Sequence, residues 1–81
     1  MPSLSELPDD LSRARFCRAL AKLGFEVSTA GGKGSHAKAT YIRTQKSVII
    51  PTPLPKHRLK YVLKEIEQYS GVTWDDVKEK L

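Results

Sequence analysis

The sequence is poor in the features that would announce a secreted, membrane-bound or cofactor-dependent protein. It has one cysteine, Cys17, so no disulfide can close within the chain, and its apolar surroundings suit a small buried or half-buried hydrophobe. No apolar run approaches the ~20 residues that cross a bilayer. The start, Met1-Pro2-Ser3-Leu4-Ser5-Glu6, lacks the basic stretch and apolar stretch of a secretory leader. A cytoplasmic protein with no membrane partner is therefore expected. Neither nucleotide-loop spacing is present: the glycines from Gly31 to Gly34 lack the four-residue gap of a phosphate loop and the third glycine of a dinucleotide fingerprint. His36 and His57 have no recognisable metal-ligand spacing with other residues, so no metal and no cofactor are expected.

Acidic residues are also missing from the middle of the chain. Between positions 13 and 64 the bases are Arg13, Arg15, Arg18, Lys22, Lys33, Lys38, Arg43, Lys46, Lys56, Arg58, Lys60 and Lys64, and the only acid is Glu26. The overall charge of +5 conceals this excess because the acids gather at the two ends. A cationic middle is the electrostatic footprint of a polyanion binder. Taken singly, each basic face can equally be solvated charge, but the excess recurs in every element of the middle.

What is present reads as one small domain. With 81 residues the core is marginal, so partner binding or self-association is expected without a particular oligomeric state being indicated. Residues 1–11 read as a loosely ordered lead-in broken by Pro2 and Pro8, and the domain as 12–81. Asp9, Asp10 or Ser12 can cap a helix to about Leu23, whose apolar face is Phe16, Ala19, Leu20 and Leu23, with Gly24 as its stop. Phe25 to Thr29 is a possible strand. Ala37 to Arg43 alternates Ala37, Ala39, Tyr41 with Lys38, Thr40, Ile42, a strand pattern, and Thr44-Gln45-Lys46 forms a turn into the β-branched strand Ser47 to Ile50. Pro51, Pro53 and Pro55 predict an extended connector that cannot join a ladder. A second helix from about Lys56 to Tyr69 carries the apolar row Leu59, Val62, Leu63 and Ile66 and the basic stripe Lys56, Lys60 and Lys64. Gly71 ends it, and a capping box at Thr73 to Asp76, with Val72 and Val77 as a staple, starts a short closing helix.

The expected fold is thus α+β: a small two-layer domain of order α-β-β-β-α plus a short C-terminal helix, the layout of a double-stranded-RNA-binding domain. An amphipathic helix ending in Leu23-Gly24-Phe25, then Lys33-Gly34-Ser35-His36, a strand, a β-branched strand ending in Ile50-Pro51 and a helix led by basic residues together resemble the HicA family of toxin-antitoxin toxins. The resemblance covers about residues 12–81. It implies a messenger-RNA-cleaving ribonuclease on a double-stranded-RNA-binding-type fold, neutralised by a HicB-type antitoxin protein, with His36 as the catalytic residue. Members often carry a second histidine two residues after the proline that follows the third strand; here that position is Pro53.

The chemistry can be written from the residues themselves. Cleaving RNA needs a base for the ribose 2′-hydroxyl, an acid for the leaving oxygen and cations for the crowded phosphate. A histidine titrates near working pH and can serve either of the first two roles, which falls to His36. Lys33 and the backbone around Gly34 and Ser35 are placed to hold the scissile phosphate, and Lys38, Arg15, Arg18, Lys22, Lys56, Arg58 and Lys60 to hold the rest of the RNA backbone. Such an endoribonuclease needs no metal. Tyr41 and Tyr61 can stack on bases or pack in the core, and Trp74 is expected to close the core. Two other readings fit the same residues: an RNA-binding module without catalysis, and a protein-interaction domain whose cationic face meets an acidic partner.

Overall fold

The computed structural model describes residues 4–9, 11–28 and 36–81. Of the possible caps ahead of the first helix, Ser12 is the one that acts: its Oγ accepts the Arg15 N–H at 3.3 Å, and α1 runs Arg13–Lys22. The helix buries Phe16, Ala19 and Leu20. It stops where Gly24 takes φ +99°, a conformation that side-chain-bearing residues rarely adopt.

The chain then forms an antiparallel meander of β1 (Phe25–Ser28), β2 (His36–Tyr41) and β3 (Lys46–Pro51), with β2 in the centre. Register follows the alternation of the sequence. Phe25 opposes Tyr41, Val27 opposes Ala39, Ala39 opposes Val48 and Ala37 opposes Ile50, so the apolar residues of all three strands share one face. The helices cover that face, α1 against β1 and α2 (Lys56–Ser70) against β3. Small side chains at Ala37 and Ala39, both fully buried, leave room over the central strand for Phe16, Leu20, Leu59 and Ile66. The hairpin turn is Ile42 to Gln45, starting two residues and ending one residue earlier than the expected Thr44-Gln45-Lys46. It is closed by the Gln45 N–H donating to the Tyr41 carbonyl at 2.7 Å, with Gln45 at φ +60°.

Three further details depart from the expectations. Pro51 lies within β3, opposite His36; it is tolerated because it ends an edge strand, where a missing N–H interrupts no interior ladder. The lead-in contains a short 3-10 helix, Leu4–Glu6, and sends Leu7 and Leu11 into the core. Lys56 forms a 2.7 Å ion pair with Asp9, tying that segment to the start of α2. The closing helix α3 (Trp74–Lys80) begins at the expected capping box: the Thr73 N–H donates to Asp76 Oδ2 at 3.0 Å and the Asp76 N–H to Thr73 Oγ1 at 3.4 Å. Val72, Trp74 and Val77 are buried, and α3 packs against α1. The domain is a small α+β fold of order α-β-β-β-α-α, as the sequence predicts.

Candidate nucleic-acid interface

Period-2 alternation decides which side of the sheet each candidate residue occupies. Because Ala37 and Ala39 face the helices, His36, Lys38 and Thr40 project from the opposite face of β2, which no helix among the described residues covers. Their cross-strand partners fill in that face. Glu26, Thr40 and Ser47 form one row, Ser28, Lys38 and Ile49 the next, and His36 with Pro51 the last. Thr40 Oγ1 and Ser47 Oγ share a hydrogen bond of 2.9 Å across the strands. His36 and Lys38 are both exposed, and Ile49 beside Lys38 is 52% exposed. Two residues along one strand face, the histidine and lysine α-carbons stand about 7 Å apart. That separation lets an imidazole and an ammonium address one phosphodiester together. Glu26, the lone acid of the middle, is four residues along in register from His36, about 13 Å away, too far to orient its ring.

The end of the sheet that carries His36 also carries Pro51, and after the four residues 52–55 comes α2. The first turn of α2 adds Lys56, His57 and Arg58, of which His57 and Arg58 are exposed and Lys56 is held by Asp9. Pro55 is the N-cap and supplies no side-chain acceptor to the first-turn N–H groups. Farther along the outer side of α2 stands Tyr61, 72% exposed, between Arg58 and Lys64 at helical spacing, with Lys60 half-buried next to it. The other tyrosines are absorbed into the structure. Tyr41 stacks at a tilt on Phe25 with ring centroids 4.9 Å apart, and Tyr69 lies under the Lys46 ammonium at 5.7 Å.

The remaining candidates stand elsewhere. Arg15, Arg18 and Lys22 are on the exposed side of α1, in the helix layer, and line a concavity with Lys80 and Leu81. The strand alternation that buries Ala37 against the helix layer turns His36 away from α1. Lys80 is a member of this cluster that sequence reading missed, since only the packing of α3 on α1 brings it there. Lys33, Gly34 and Ser35, read as the phosphate-holding turn, lie outside the described residues.

Cys17, half-buried on α1, has its thiol pushed above the ordinary value by burial, with the Arg13 guanidinium pulling the other way. This is the character of an unreactive packing residue. Arg13 Nη1 and Trp74 Nε1 are buried without a hydrogen-bond partner among the described residues. Among those residues no three His, Cys, Asp or Glu side chains come together, and no helix is long and apolar enough to cross a membrane.

Compared with family models, with curated proteins and with solved structures, the chain matches none of them.

Proposed function

We propose that the protein is an RNA-cleaving ribonuclease of the toxin type, working without a metal, with His36 as general acid or base. The observation that carries the reading is the pairing of His36 with Lys38 on the uncovered face of the central strand. In this reading the imidazole moves a proton at the 2′-hydroxyl or at the leaving oxygen, and the Lys38 ammonium balances charge gathering on the phosphate. Arg58 and Lys60 stand on α2 in the helix layer and take phosphates of RNA that passes round the Pro51 end of the sheet from the His36 face. The exposed ring of Tyr61 offers a stacking surface for a base. The resemblance to HicA toxins supports the same assignment and extends it: the substrate is messenger RNA in the cytoplasm, and a HicB-type antitoxin with an acidic surface covers the cationic face. The exposed Ile49 beside Lys38 gives that partner an apolar contact.

The test is cleavage of a single-stranded RNA by the purified chain in the presence of a chelator, beside His36→Ala. Cleavage that falls about 10²- to 10⁴-fold in the variant is expected. Equal cleavage by both proteins would remove His36 from its role. RNA binding without cleavage would replace the enzyme with a binding module on the same surface.

A further inference from the structure

The cluster on the other side of the molecule calls for a separate account. Arg15, Arg18 and Lys22 follow one another at i, i+3 and i+7 on α1, and Lys80 of α3 joins them around a concavity of about 290 Å³. Like charges at these spacings destabilise a helix, and α1 contains no acid to relieve them. Of the three acids of α3, two are committed elsewhere, and Glu79 forms no ion pair among the described residues. Asp75 pairs with Lys78 at 3.4 Å, and Asp76 closes the capping box at Thr73. None of the four cations takes part in an ion pair among the described residues, where the pairs are Lys56 with Asp9 and Lys78 with Asp75. The one polar contact of their side chains there is Arg18 Nε donating to the Ala14 carbonyl at 3.4 Å.

We infer that Arg15, Arg18, Lys22 and Lys80 form a second anion site, built for a compact oligophosphate group such as a triphosphate. A nucleic-acid strand crossing so small a concavity brings one charge per phosphate and spreads them along its length. A triphosphate concentrates several charges in one place, and two planar guanidinium forks and one ammonium from α1, with a second ammonium from α3, match that distribution. The group can arrive as a free nucleoside triphosphate or as the 5′ end of an RNA. The site stands in the helix layer, whereas His36 and Lys38 project from the uncovered face of the sheet, so it is independent of the catalytic reading.

The experiment is calorimetric titration of the full chain with inorganic triphosphate, alongside inorganic monophosphate. Saturable binding with one site is expected, and at least about tenfold weaker binding of monophosphate. Arg18→Gln with Lys22→Gln should weaken triphosphate binding by about tenfold or more, and so should Lys80→Gln, which leaves α1 untouched. His36→Ala and Lys38→Gln should leave it unchanged. Thermal unfolding of each variant checks that it is folded; a variant whose transition is lost is replaced by Arg15→Gln, held to the same threshold. A second arm compares a nucleoside triphosphate with one short RNA bearing either a 5′-triphosphate or a 5′-hydroxyl. Preference for the triphosphate RNA, abolished in the α1 variant, assigns the RNA end; equally tight nucleoside triphosphate assigns the free nucleotide; both uphold the site. Equal binding of the two RNAs, weakened alike in the variant, would assign the cluster to polymer backbone and overturn the inference. Absence of saturable triphosphate binding, or equal loss in Lys38→Gln, would overturn it as well.

Discussion

At Gly24 the backbone turns through φ +99°, and a β-carbon added there would meet Tyr41 Cε1 at 3.4 Å; at Gly71, φ is +78° and the space around a β-carbon is open. Alanine at Gly71 should therefore cost about 1 kcal/mol for the left-handed backbone alone. Alanine at Gly24 should cost more, roughly 2 kcal/mol, because φ +99° lies farther from the left-handed region that side chains tolerate and the Tyr41 ring already stands in contact. Urea unfolding midpoints of the two variants test the order, and a larger loss at Gly71 would contradict it. Both glycines could be read from the sequence as helix stops, since an apolar row ends just before each. The partner ring at Gly24 could not, because it comes from a strand seventeen positions later whose register depends on the whole sheet. His36 divides in the same way. Its residue type and its place at the start of a strand were legible, but its direction was not. Which face a strand residue occupies is settled by what its neighbours bury, and here two alanines, weak hydrophobic signals, set it.

Among the elements, β2 carries the tightest constraint. Ala39 is fully buried between Val27 and Val48, beneath the helix layer. Ala39→Leu should lose about 1–3 kcal/mol through overpacking, measured by thermal or urea unfolding, while Lys38→Leu, at an outward-facing and exposed position, should change stability little. If the two changes cost the same, the assignment of faces to β2 is wrong. The helices were legible nearly to the residue, since their apolar rows, Ser12, Gly71 and the Thr73 box are local signals. The edge role of β3 was not. A proline inside a strand looks like a break until the topology shows that nothing pairs beyond it. The N-terminal segment was misjudged for a related reason: Leu7 and Leu11 are too sparse to make a periodic pattern, and their burial depends on α2 and the rest of the core arriving above them.

For the whole molecule, the distribution of charge makes a quantitative statement. If Lys38, Arg58 and Lys60 engage about three phosphates of a single strand, log affinity for RNA should fall against log salt with a slope near −2, and Lys38→Gln should flatten it by about 0.7. A slope near zero, read from binding isotherms at several salt concentrations, would favour a protein partner over RNA for the cationic face. The same arrangement of elements also bears on the order in which the fold forms. The 3-10 helix packs on α2, and α1 packs on α3, so these contacts join residues at least fifty positions apart in the chain. Pairings that close such large loops form after the local hairpin of β2 and β3. The cationic hollow between α1 and α3 therefore takes its shape only when one of the most distant contacts of the fold is made.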